Sequence, residues 1–359
     1  MSDNKIKLKY SYRVIKSNDD ICILNAILGK SYIVKNENNG VFLILKLIKN
    51  GCTKKTLINY TKKILRKNTI NSTKYINDTI KNLQKIGAFE QNNIRGLSKS
   101  YLRHLVRQIK FLEGRFPEQS SFELQEKIQK TRVVIIGLGG IANYIILNLI
   151  SLGFYDFTLI DFDKVEKKNL GRQPIFRKED IGNYKTAAVS KYIKGVHSRA
   201  NVKIINLKLE TIEQIKEAIK DADVVIPCCN LPRFEIQKLI NIACIEMNKF
   251  RITIGSDFIG PLTLPSKTAC YQCLENFLFK RSSLYVKLTE DFKKDKSEGA
   301  SIGFTGSMVA TYVAKELFSF IVGLTPKTLN GTYFIRPLTF DIKFIKVRKD
   351  PKCRVCSNG

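Results

Sequence analysis

The chain has 359 residues, enough for two domains with separate cores. Its 61 Lys and Arg against 32 Asp and Glu leave a formal charge of +29, which suits an anionic partner. The excess is spread along the chain as a compositional bias would spread it, and no arginine-rich block with interleaved aromatics supports a nucleic-acid interface. No export-signal pattern opens the sequence, and glycine and asparagine interrupt the most apolar window, 133–154; neither secretion nor a membrane span is expected, and the expected compartment is the cytoplasm.

Residues 1–98 read as a domain of their own. Short β-like runs, YSYRVI, ICILNA and SYIV, precede NGVFLILKLIKNGCTKKTLINYTKKIL, where apolar residues recur at helical spacing. Another amphipathic helix follows in STKYINDTIKNLQKIGAFEQ, with Ser72 or Thr73 as its expected cap and Gly87 as its stop. Three short strands with three helices describe a small winged-helix (α+β) domain. A DNA-reading winged helix would present a cluster of base-reading side chains on one helix, and none stands out.

Residues 99–359 form the expected second domain. A basic helix in LSKSYLRHLVRQIKFLEGRFP and a Pro-marked turn lead into it. Strands and helices then alternate: RVVIIG, a helix over 141–153, DFTLIDFD, YKTAAVSKYIKGV, VKIINLKL, TIEQIKEAIKD, ADVVIPCC and PRFEIQKLINIACIEMN. That order predicts an α/β, doubly wound, Rossmann-like and mainly parallel sheet with helices on both faces. Residues 280–305, charged with late Gly and Ser, read as a mobile loop over an active site.

In GLGGIAN, Gly137, Gly139 and Gly140 let the backbone approach a phosphate, and the following helix offers free N–H groups and a partial positive charge. Asp161, 24 residues after Gly137, ends the next strand, where a carboxylate suits ribose hydroxyls. These features fit a nicotinamide enzyme as well as an ATP enzyme. The stretch that follows, DFDKVEKKNLGRQPIFRKEDIGNYKTAAV, adds an Asn, an Arg and a Lys for which hydride transfer has no need. Substitution at the α-phosphate of ATP does need fixed cations, because charge builds on phosphate oxygens and departing pyrophosphate.

Nine cysteines include two CxxC pairs, Cys270 with Cys273 and Cys353 with Cys356. Four thiolates suit a closed tetrahedral zinc site without a position for substrate. Cys228, Cys229 and Cys244 fall on a strand and an apolar helix face and read as core. The two histidines, His104 and His197, are too few for a histidine-centred site and read as structural or surface residues.

From about Leu97 onward, GLGGIAN, LIDFDKVEKKNLGRQ, DIGNYKTAAV, GPLTLPSKTACYQC and CRVC together resemble the ThiF, MoeB and ubiquitin-activating superfamily of adenylating enzymes. The extra N-terminal domain resembles the peptide clamp of its peptide-adenylating members. The resemblance implies ATP, Mg²⁺ and structural Zn²⁺. It places Gly137, Gly139, Gly140 and Asp163 at the nucleotide, Asp161 on the ribose, Asn169 and Arg172 on the phosphates and Lys185 near the α-phosphate. It further implies a homodimer in which an arginine of RHLVRQ, Arg107 or else Arg103, enters the partner's active site. No cysteine lies between Cys273 and Cys353, so thioester transfer is not expected. One position departs from the family: Asn230 stands where members usually have the aspartate that binds Mg²⁺, and it brings no negative charge.

The expected function is therefore ATP-dependent adenylation of the C-terminal carboxylate of a ribosomally made precursor peptide, which the N-terminal domain binds as an added strand. Asn230 keeps open a scaffold that delivers its peptide to a partner such as a YcaO cyclodehydratase. Sulfur-carrier activation is a third reading, disfavoured by the extra domain.

Overall fold

The computed structural model describes residues 5–357 except 18–19, 37–38, 65–71, 90–96, 230–231, 233, 283, 285–286, 288–290 and 292–300. The chain divides into two compact units, Met1–Glu126 and Lys127–Gly359.

In the first unit, β1 (Lys5–Ile6) pairs with β5 (Cys52–Thr53), and β2 (Tyr12–Ser17), β3 (Asp20–Asn25) and β4 (Lys30–Lys35) form an antiparallel meander. Strand alternation sends Ile21 and Ile23 into a core with Val41, Ile44, Leu45 and Ile48 of α1 (Gly40–Lys49). On the opposite face, Ile15, Cys22 and Ile33 lie in register, with Ile15 and Ile33 exposed. The apolar run over 40–64 holds two helices, α1 and α2 (Lys54–Ile64), and α3 (Ser72–Lys85) follows. Asn71, before α3, lies outside the described residues, as do the side chains of Ser72 and Thr73, so the expected cap is not seen.

The basic stretch near residue 100 is likewise two helices, α4 (Lys99–His104) and α5 (Val106–Arg115), parted at Leu105. Both belong to the first unit, as does the start of α6 (Ser121–Lys130). Asn25 Nδ2 donates to Gly114 O at 3.1 Å, and Lys9 Nζ to Pro117 O at 2.9 Å. These buried polar ties, between segments far apart in sequence, carry the compact division to Glu126.

The second unit is built on β6 (Arg132–Ile136), β7 (Asp156–Ile160), β8 (Asn201–Ile205), β9 (Val224–Pro227), β10 (Phe250–Ile254), β11 (Phe258–Thr263), β12 (Gly331–Arg336) and β13 (Asp341–Lys346). They form one sheet in the order β13-β12-β11-β10-β9-β6-β7-β8. Strands β8, β7, β6, β9 and β10 run parallel; β11, β12 and β13 extend the sheet antiparallel. The helices are α7 (Gly140–Ser151), α8 (Lys185–Val196), α9 (Ile212–Ile219), α10 (Glu235–Glu246), α11 (Tyr271–Arg281) and α12 (Gly303–Ile321). Val133 to Ile136 are all buried, as expected of a central strand covered on both faces. Val134, Ile136 and Val225 share one core with Ile215 and Ile219 of α9 and Ile236 and Ile240 of α10.

This order carries a functional consequence. From β6 the chain passes to β7 on one side, whereas β9 lies on the other. Such a reversal leaves a crevice at the carboxyl ends of the two diverging strands, the usual ligand position in open α/β sheets. The loop expected over 280–305 falls mostly outside the described residues; its last three form the opening turn of α12.

Candidate functional site

The glycine turn occupies that crevice. Gly137 follows β6 with φ +87, and a Cβ there would sit 2.8 Å from the backbone N of Cys229, just beyond β9. Gly137 thus answers to backbone geometry and to the neighbouring strand end. Gly139 answers to neither. Its φ is −73 and a Cβ would meet nothing within 4 Å among the described residues, so the space above it is open to them. It caps α7 with no side chain bonded to the first-turn N–H groups, which leaves donors and the positive helix end free for an anion.

Two buried polar side chains hold this turn. Asp161, 7% exposed, accepts the Leu138 N–H at 2.6 Å through Oδ2 and the Asp163 N–H at 2.8 Å through Oδ1. Burial pushes its carboxyl above the usual carboxylate range, opposed by the charge of Lys185 and by these two donors. Asn143, fully buried on α7, donates to Leu138 O and Gly139 O and accepts the Ile175 N–H at 3.1 Å. It therefore ties the turn to the loop that carries Arg172. Sequence reasoning missed Asn143; the available signal was an amide on an otherwise apolar helix face.

Lys185 opens α8. The Val165 N–H bonds to Asn183 O and the Lys185 N–H to Asp163 O, so the segments 161–165 and 182–185 lie side by side. This pairing brings Lys185 Nζ to 2.7 Å from Asp163 Oδ2, with the lysine side chain 9% exposed and the aspartate 47%. Asn169 is buried in a short 3₁₀ turn, Lys167–Asn169, where its Oδ1 accepts the Glu166 N–H at 2.8 Å. Arg172 is half-buried, and its Nη1 donates to Lys168 O at 3.1 Å. Its carbonyl oxygen lies 3.4 Å from where a Cβ of Gly140 would be. Beside it in sequence, Gln173 is 3% exposed and its Oε1 has no partner among the described residues, an orphaned acceptor that sequence reasoning also missed.

One unit thus brings together Gly137, Gly139, Gly140, Asp161, Asp163, Asn169, Arg172 and Lys185. Asn230 lies outside the described residues. Arg107 on α5 and Arg103 on α4 are exposed and belong to the first unit. A cavity of about 320 Å³ adjoins the turn, lined by Ile141, Ser256, Ser301, Ile302, Thr305 and Gly306. The N-termini of α7 and α12 both open onto it.

Cys228 and Cys229 are half-buried and follow β9 instead of lying on it; Cys244 lies in the core, and Cys229 packs against that core. Burial raises both thiols, Cys229 to about 12.

Cys270, Cys273, Cys353 and Cys356 are all buried, with sulfurs within 4.8 Å of one another. Individual Sγ–Sγ distances are 3.9, 3.8 and 3.5 Å. A regular tetrahedron with Zn–S bonds of 2.3 Å has edges of about 3.8 Å, whereas a disulfide holds its sulfurs about 2.05 Å apart. The four residues fit a closed tetrathiolate zinc centre. Hydrogen bonding from Cys273 and then Cys356 draws the Cys270 thiol well below the usual range, toward the thiolate a metal requires.

The fold and site define a doubly wound α/β unit with a glycine turn at its crevice and a four-cysteine cluster that could hold a metal ion. The chain belongs to the ThiF family, whose profile matches residues 107–355. It is 32% identical to the sulfur carrier protein ThiS adenylyltransferase of Escherichia coli over 154 residues, which are 42% of this chain and 60% of that enzyme. It is 23% identical to a sulfur carrier protein adenylyltransferase of Thermus thermophilus over 252 residues, 66% of this chain and 86% of that protein. Escherichia coli MccB, in a crystal structure with AMPCPP and MccA, matches with a TM-score of 0.70 at 21% identity, covering 99% of this chain and 100% of MccB. The described helices include none long and apolar enough to cross a membrane.

Proposed function

We propose that the protein is an ATP-dependent adenylyltransferase that activates the C-terminal carboxylate of a ribosomally made precursor peptide. The observation that carries this reading is the full-length likeness to MccB, first unit included, where MccB is seen with an ATP analogue and MccA. ATP would lie over Gly139, its phosphates against the N-terminus of α7, with Asp161 at the ribose. Arg172, Asn169 and Lys185 would face the phosphates, and an arginine of a second copy, Arg107 first, would complete the site. Mg²⁺ bound to the phosphates would offset their charge; Asp163 is the carboxylate at hand.

In the chemical step a carboxylate oxygen attacks the α-phosphorus. The new O–P bond forms as the bond to the β-phosphate oxygen breaks, giving an acyl-adenylate and pyrophosphate. The cavity between α7 and α12 receives the acyl end, where two positive helix ends favour the incoming carboxylate. Lys185 stabilises charge on the phosphate oxygens as it develops, with Asp163 setting its direction. The peptide's N-terminal part adds to an edge of the β2-β3-β4 sheet.

A second reading, sulfur-carrier adenylation, is favoured by the names of the two curated relatives. Pyrophosphate exchange with the purified protein separates them. Exchange should depend on a precursor peptide and not on a sulfur-carrier protein. The substitution Lys185→Ala should lower it about 10²- to 10³-fold, the cost of one such donor. Tight peptide binding with no AMP formed would instead make the chain a peptide-delivery scaffold.

A further inference from the structure

Arg251, in the middle of β10, heads the fully buried side chains of the described residues by volume, with 0% exposure. Its Nη1 donates to Asn241 Oδ1 at 3.1 Å and its Nη2 donates to Gln237 Oε1. The guanidinium sits 5.3 Å above the centre of the Tyr271 ring, and Nε is buried without a partner. Both oxygen acceptors belong to neutral amides, and no carboxylate among the described residues is paired with it. A cation held in the interior without an anion costs several kcal/mol, and a neutral side chain of similar volume would avoid that cost.

The compensating charge lies along Arg251's own hydrogen bonds. Asn241 Oδ1, which accepts from Arg251, also accepts the Tyr271 N–H at 3.0 Å. Tyr271 directly follows Cys270, so the chain of hydrogen bonds from Arg251 ends at the backbone beside the first cysteine of the cluster. Four thiolates around one Zn²⁺ carry a net charge of about −2. The other branch leads to the nucleotide crevice: Gln237 Nε2 donates to Cys229 O at 2.8 Å. Cys229 is the residue whose backbone closes on Gly137.

We infer that Arg251 is the buried counter-cation of the tetrathiolate centre, and that through Gln237 it couples that centre to the strand end beside the phosphate turn. It acts as a positioning residue. When the centre is emptied, Arg251 loses the anionic neighbour its hydrogen bonds lead to, and the joint between Cys229 and Gly137 loosens. The inference rests on the cysteines holding zinc, a reading whose failure has a signature of its own.

The test compares the wild-type protein with Arg251→Met and Arg251→Lys. Zinc content is measured by atomic emission, zinc release with a chromophoric chelator, and melting temperature before and after metal stripping. Zinc should leave Arg251→Met about tenfold faster than wild type, as expected for loss of an outer-shell partner, with Arg251→Lys close to wild type. Stripping should lower the melting temperature more in wild type than in Arg251→Met, because the variant has no charge to strand. Equal release rates and equal melting shifts would overturn the inference while leaving the zinc centre intact. Absence of bound metal from the wild type would overturn both. Should Arg251→Met not fold, stripping the wild type should still weaken binding of a fluorescent ATP analogue severalfold, and unchanged binding would count against the coupling.

Discussion

Asp161 carries a cost that its packing does not explain. Burial holds its carboxyl above the ordinary range even though Lys185 and two backbone donors favour the ionised form. An acid whose folded value is raised keeps its proton longer in the folded chain than in the unfolded one. Stability then declines as pH rises from the ordinary carboxylate value through the raised one and is level above it. Unfolding of the wild type relative to Asp161→Asn, followed across that interval, should therefore drift against the wild type with rising pH; a flat difference would remove the strain. Cys229 shows the same effect of burial on a thiol. With its thiol pushed up to about 12, it stays protonated and weakly nucleophilic near neutrality. Brief iodoacetamide treatment at pH 7.5, read by peptide mass spectrometry, should label the partly exposed Cys22 well before Cys229.

At the scale of elements, the glycine turn separates two roles that its spelling merges. Substituting Gly137→Val should destabilise the fold by about 2 kcal/mol or more, because φ +87 and the approach of Cys229 both oppose a side chain. Gly139→Val meets none of the described residues, so thermal melting should barely move while nucleotide affinity falls at least tenfold, as equilibrium binding would report. The reverse pattern would displace the nucleotide from this turn. Sequence periodicity located β6 to β9 and the helices α7 to α10 because fully buried strands are apolar runs and surface helices are amphipathic. It left β10 to β13, α11 and α12 unassigned: β13 exposes most of its residues and breaks the alternation that marks a strand with one buried face. The motif residues were legible as types at spacings. Their partners were not, since Asn143 to Ile175 and Lys185 to Asp163 are contacts that folding alone creates.

Over the whole molecule, the second unit has two kinds of anchor, a sheet whose central strand is buried and a cysteine cluster that packs with Val347, Leu274 and Ala269. Removing zinc with a strong chelator should lower the melting temperature of the protein and release protein-derived protons on readdition of metal, because thiolates replace thiols. Calorimetry with and without metal measures both, and an unchanged transition would make the cluster dispensable. The two thiol pairs are also 83 residues apart. During synthesis the first pair emerges before α12, β12 and β13 exist, so a tetrahedral cage cannot assemble until the last strands of the sheet have left the ribosome. Zinc held by this cluster would accordingly act as a latch that closes only once β12 and β13 are made, and a cell short of zinc would accumulate intermediates in which that side of the sheet is folded but not yet pinned.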